Sequence, residues 1–180
     1  MSDAAQGKPA GSYVWGGLST FGIAVAIITC AVDQASKFWL LDRFDIASRQ
    51  PVTVTPFIDL LLVFNTGISY GLFPQSGGTA GEWALFAFKI AAVIFLWLWL
   101  ARASSRLTAA ALGLIVGGAV GNAIDRLHWP GVADFVLFHI DTAAWTFRWY
   151  VFNLADVAIV AGVLGLLYES LWRGGAAKAP

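Results

Sequence analysis

Two stretches of this 180-residue chain place an asparagine three residues before an aspartate: "GGAVGNAIDR", with Asn122 and Asp125, and "VFNLADVAIVAG", with Asn153 and Asp156. On a helix that spacing puts both side chains on one face, so each carboxylate gains an amide neighbour able to donate to it. Two carboxyls within hydrogen-bond distance cannot both ionise easily; they share a proton and their titrations separate. The ionised member can then take a proton from water as it attacks a peptide carbonyl, while the protonated member polarises the carbonyl oxygen. Asp125 and Asp156 are therefore the candidate catalytic pair. Plainer readings remain beside it: Asp156 as a helix cap, Asp125 as a surface ion pair with Arg126, or both in a non-catalytic membrane scaffold. A fourth reading makes the two aspartates the relay of a small proton-coupled channel or transporter, since acids inside membranes also mark proton paths. No Ser/His/Asp or Cys/His set competes; Ser69, for instance, has no histidine near it in sequence.

The elements that must position these residues are apolar. The chain is 58% hydrophobic and 12% charged, with mean hydropathy +0.71 and nine tryptophans. This is the composition of an integral membrane protein, not of a soluble domain. Net charge is zero and there is no run of basic residues, which argues against a nucleic-acid partner. The single cysteine, Cys30, excludes an intramolecular disulfide and reads as a packing residue. With only His128 and His139 beside it, a zinc site is poorly supplied.

Residues 11–32 and 107–124 are charge-free runs near the roughly 20 residues a helix needs to cross a bilayer. Residues 83–101 form the second span in chain order, broken only by Lys89, whose ammonium can snorkel to the interface. The last apolar run, 157–168, reaches spanning length only by beginning near residue 150 and taking in Asn153 and Asp156. The expectation is an all-α polytopic membrane protein of one domain with four transmembrane helices, at 11–32, 83–101, 106–126 and 150–171. Residues 1–10 read as a tail, and the first span reads as an uncleaved anchor, because its apolar run exceeds the 7–15 residues of a signal core and no small-residue cleavage site follows.

Consecutive antiparallel helices bring the end of the third span and the start of the fourth into the same leaflet, so Asp125 and Asp156 lie at matched depth. Gly113, Gly117 and Gly121 form a small-residue stripe that invites a close neighbour, with the fourth helix the expected one. Residues 44–75 include the β-branched, aromatic "PVTVTPFIDLLLVF" and predict a small antiparallel sheet. Residues 127–149, with Trp129, Trp145 and Trp149, predict an interfacial segment. Arg102 and Arg106 in a short loop, with Lys8, Arg173 and Lys178 near the termini, put both termini in the cytoplasm and the sheet on the outer, periplasmic face.

Five blocks, "DQASKFWL" (Asp33 to Leu40), "FNTGISYGLF" (Phe64 to Phe73), "GGAVGNAIDR", "GVADFV" (Gly131 to Val136) and "FNLADVAIVAG", resemble in order and spacing those of bacterial lipoprotein signal peptidase, signal peptidase II. The resemblance implies an intramembrane aspartic endopeptidase of the bacterial inner membrane, without metal or cofactor. Its substrates would be prolipoproteins already carrying a diacylglyceryl-cysteine, met within the membrane lipid and cut just before that residue; globomycin would be an inhibitor. It places the catalytic pair on Asp125 and Asp156. Asn65, Gly67, Asn122, Arg126, Asn153 and Ala155 fall on positions that line or support the site. Asp33 and Lys37 match the first block as substrate contacts or as an ion pair at a helix end, and Asp134 as an organiser of its loop. "GISYG" departs from the usual second block, so Ile68 and Tyr70 carry no assigned role.

Overall fold

The computed structural model describes residues 14–66 and 91–176, with side chains through Leu171. In chain order the elements are helix α1 (Ser19–Phe38), which runs directly into a π-helical turn (Trp39–Arg43), helix α2 (Ile46–Arg49), strands β1 (Val52–Thr55) and β2 (Ile58–Asn65), helix α3 (Ala91–Ala101), helix α4 (Arg106–His128), strands β3 (Val132–Asp141) and β4 (Thr146–Arg148), and helix α5 (Leu154–Ala176). Three helical stretches among the described residues are long and apolar enough to cross a membrane: Ser19–Arg43, Arg106–His128 and Leu154–Leu171. The expected span at 83–101 is described only as α3; its first half, with Lys89, lies outside the described residues, as do Gly67, Ile68 and Tyr70.

The first helix is displaced from its expected 11–32. It begins at Ser19 and continues past Asp33 and Lys37, which lie inside it, both almost wholly buried. A charge-free run marks what lipid tolerates, but a helix does not stop at a charge that finds a partner in the protein. Helix α4 opens on Ser105, whose hydroxyl accepts from the Thr108 amide at 3.0 Å. It closes at Trp129, which takes extended angles (φ −126°, ψ 166°) because Pro130 follows it.

Helix α4 lies between α1 and α5, and its glycines decide both contacts. Gly113 faces the Gly22 carbonyl and Val25, and Gly117 faces Ala26 and Thr29, so the glycine stripe packs against α1 rather than the expected last helix. The contact with α5 uses a different pair: Gly118 against Ala155 and Ile159, and Gly162 against Ala111 and Ile115. The stripe repeats every four residues, but Gly118, one position on, faces another direction. A Cβ at Gly118 would lie 2.5 Å from the Ala155 carbonyl oxygen and 2.9 Å from Ile159 Cγ1. Gly118→Ala should therefore lower the thermal unfolding midpoint in detergent, by an overpacking cost of about 1–3 kcal/mol. An unchanged midpoint would count against this helix contact.

Within the segment expected as an interfacial loop, 127–149, residues 132–141 and 146–148 form strands. β3 and β4 extend the β1–β2 hairpin into a four-stranded antiparallel sheet of order β1-β2-β3-β4. The tryptophans suggested an interface, but the residues joining them, Val132 to Ile140, are mostly β-branched and aromatic and pair with β2 from Val132↔Asn65 to Phe138↔Ile58. Ile46, Ala133 and Phe135 form the core beneath the sheet, packed by Leu41, Phe44, Leu60 and Phe64. A separate apolar cluster, Leu100, Ala109 and Leu112, holds the other end of the helices together.

Candidate active site

The site forms where the helices meet the sheet, and backbone pairing brings its parts together. Phe152 bridges antiparallel to Val136, accepting from the Phe135 and Val136 amides at 3.1 and 2.8 Å and donating to the Val136 carbonyl at 3.0 Å. That bridge sets the residue before Asn153 alongside β3, next to Asp134. Asn153 then caps α5. Its side-chain oxygen accepts from the Asp156 amide at 3.0 Å, and Asp156 Oδ2 accepts from the Asn153 amide at 3.2 Å. This reciprocal capping box explains the N-x-x-D spacing physically: it starts the helix and aims the Asp156 carboxylate.

Around this start lies a buried polar network. Lys37 Nζ lies 2.8 Å from Asp33 Oδ2, 2.7 Å from Asp125 Oδ2 and 3.1 Å from Asn122 Oδ1, so each of its three protons has an acceptor. Asp125 is fully buried and also accepts from the Ala133 amide at 3.1 Å and from Gln34 Nε2 at 2.9 Å. Gln34 reaches the Gly121 carbonyl at 3.1 Å as well. Asp33 Oδ1 accepts from the Ala155 amide at 2.9 Å, which fastens the first turn of α5 to α1. A buried ion pair of this kind is a poor source of net stability but is costly to break.

Asn122 joins this network to Asp156. Its Nδ2 donates to Asp156 Oδ1 at 2.9 Å, while its Oδ1 accepts from Lys37 and from Asn153 Nδ2, each at 3.1 Å. Asn153 Nδ2 also donates to Asp134 Oδ1 at 2.6 Å and to the Ala133 carbonyl at 3.3 Å. Asp134 and Asp156 thus share the Asn153 residue, one at its side chain and one at its backbone. Burial, followed by the charge of Asp156, pushes Asp134 up to about 6 against the opposing hydrogen bonds of Asn153 and Asn65.

The sequence-derived site residues therefore gather, with one regrouping. Asp156, Asn122, Asn153, Ala155, Asp33, Lys37 and Asn65 meet in one network. Arg126 does not reach the carboxylates through its side chain: it is exposed, and its guanidinium donates to the Asn122 carbonyl at 3.0 Å. The contacts of Asp125 run to Lys37, Gln34 and Ala133, and those of Asp156 to Asn122 and Asn153, so the path between the two passes through Lys37 and Asn122. The carboxyl whose charge answers to Asp156 is Asp134, expected only to order its loop. Gln34 is a site residue that sequence reasoning misses altogether. The signals are present: Asp134 is an acid inside an apolar strand, and Gln34 stands between Asp33 and Lys37 on the same helix.

The family model described as "Signal peptidase (SPase) II" matches residues 25–172. A lipoprotein signal peptidase of Nitrobacter hamburgensis is 57% identical over 159 residues, covering 88% of this chain and 96% of that protein. One from Rhodopseudomonas palustris (strain TIE-1) is 54% identical with the same coverage. In fold, the chain is similar to a bacterial membrane enzyme solved by the in meso method at 2.3 Å resolution, with TM-score 0.64, 22% identity, and 93% of this chain and 96% of that one covered. A second such structure, at 1.9 Å, gives TM-score 0.63 at 23% identity, with 89% and 97% covered. With more than four-fifths of its length matched by that family model and by close relatives, this chain belongs to the signal peptidase (SPase) II family.

Proposed function

We propose that this chain is an aspartic endopeptidase that removes the signal peptide from diacylglyceryl-modified prolipoproteins, cutting before the lipid-bearing cysteine, with Asp134 and Asp156 as the reacting pair. The observation that carries the pair is the shared Asn153 contact together with the raised Asp134 carboxyl facing the Asp156 charge. Asp125 is the other candidate. It is fully buried, neutralised by Lys37, and already accepts from two further donors, which suits a fixed structural anion better than a proton carrier.

In this reading one carboxylate takes a proton from water as the water oxygen bonds to the scissile carbonyl carbon, and the partner carboxyl donates to the carbonyl oxygen. Collapse of the tetrahedral intermediate breaks the C–N bond, the nitrogen takes a proton from the pair, and the acid and the amine leave. Asn65, Asn122 and Asn153 hold the two carboxyls; Gly67 belongs to the same site by resemblance. The expected second span, 83–101, belongs with the other three to one four-helix membrane domain over 1–180. Both termini are cytoplasmic, the chain sits in the inner membrane, and the sheet lies on the periplasmic face, where a lipid-anchored peptide bond arrives by lateral diffusion. The exposed Phe57, Trp145, Trp149 and Tyr150 suit headgroup depth. The relay reading of Asp125 and Asp156 finds no support in the family assignment.

The test is cleavage by purified protein in lipid. The diacylglyceryl-modified precursor should be cut before its cysteine and globomycin should block the cut, with the unmodified precursor spared. Equal cleavage of both precursors would remove the lipid-anchored substrate from this reading.

A further inference from the structure

Lysine can only donate hydrogen bonds, whereas an asparagine amide can face either way. Lys37 Nζ at 3.1 Å and Asn153 Nδ2 at 3.1 Å both point at one end of the Asn122 amide, so that end must be the oxygen. The NH₂ group is thereby turned to Asp156 Oδ1, 2.9 Å away. With the Asn153 amide on Oδ2, both oxygens of Asp156 act as acceptors, the arrangement of an ionised carboxylate. Asp134 lies one step further from the ammonium, since its donor is Asn153 rather than Asn122. Its side-chain donors are Asn153, at Oδ1, and Asn65, and the strand around it is apolar.

We propose that Lys37 is a positioning residue: by fixing the amide of Asn122 it makes Asp156 the carboxylate that activates water and leaves Asp134 as the carboxyl that donates to the substrate carbonyl. This rests on the reading of Asp134 and Asp156 as the reacting pair. Charge supports the division of labour. The ionisable groups facing the pair are Asp33 and Lys37 from α1 and Asp125 from α4, and two carboxylates there share one ammonium. That surplus negative charge opposes a second ionised member of the pair. Asp134, pushed up to about 6, keeps its proton below that value, so kcat/KM should fall as pH rises through about 6.

The experiment is the pH profile of precursor cleavage in lipid, with Asn122→Ala and Lys37→Gln beside the native protein. Asn122→Ala should lower kcat about 10- to 100-fold with KM little changed, because the donor that holds Asp156 Oδ1 is gone. Lys37→Gln removes one of the two donors that fix the Asn122 oxygen and leaves Asn153, so it should lower kcat in the same way but by less. A kcat that stays native in folded Asn122→Ala, or a loss carried by KM alone, overturns the proposal. Infrared spectroscopy of the full-length protein at pH 5 keeps the test open should either variant fail to fold. The carboxylic-acid C=O band should vanish in Asp134→Asn and persist in Asp156→Asn; the reverse overturns the assignment. Retained cleavage by Asp134→Asn or Asp156→Asn is a separate outcome, and it removes the pair itself.

Discussion

Asp134→Asn and Asp156→Asn should each lower precursor cleavage by roughly 10²–10⁴-fold while leaving the protein folded. Each substitution removes a group that must gain or lose a proton in the reaction, yet an amide is nearly isosteric with a carboxyl. An amide at position 156 can still accept from the Asn122 NH₂ and the Asn153 backbone amide through its oxygen, and one at position 134 can still accept from Asn153. Because the two carboxyls act as a unit, the double variant should lose little more than either single one. Asp125→Asn is the discriminating control. It weakens the contact with Lys37, which keeps its pair with Asp33, and should show as lost stability rather than as lost chemistry. If Asp125→Asn folded with native stability but was inactive, while Asp134→Asn still cleaved, the pair would be Asp125 and Asp156 after all.

Lys37→Met should be the most destabilising single change in the chain. It leaves Asp33 and Asp125 buried, at 1% and 0% exposed, with no counter-charge between them. The expected loss is about 3–5 kcal/mol, from a total that for most proteins is only about 5–15 kcal/mol. The same change loosens α5, because Asp33 also holds the Ala155 amide. The triple variant Lys37→Met, Asp33→Asn, Asp125→Asn removes the uncompensated charges and should recover part of the loss. Thermal unfolding in detergent followed by helical circular dichroism reads both variants. A Lys37→Met protein melting at the native temperature would show that the ion triad does not hold the helices together.

Much of the fold and site was legible in the chain because it is written locally. Charge-free runs near membrane length mark α1 and α4, and a shorter one marks α5. The spacing of Asn153 and Asp156 is that of a capping box, and "PVTVTPFIDLLLVF" reads as strand where β1 and β2 lie. The motifs bring Asn122, Asn153, Asp156, Asp33 and Lys37 to attention as residue types, and the structure gathers all of them.

Partnership was not legible, because it depends on which faces meet. Asp33 and Lys37 look like the end of a span, yet α1 carries them inward against α4. The glycine stripe announces a close neighbour without naming α1, and the pairing of β3 with β2 depends on residues some 70 positions apart in sequence. Asp125 and Asp134 are both acids near the end of the third span, and nothing in their local sequence says which one meets a lysine. The amino-acid sequence by itself determined the membrane helices, the capped start of α5 and the set of polar residues available for chemistry, since these follow from local hydropathy and hydrogen bonding. Only the tertiary structure decided that Lys37 pairs with Asp125 and that Asn153 joins Asp134 to Asp156, because the charge felt by a carboxyl is set by neighbours in space.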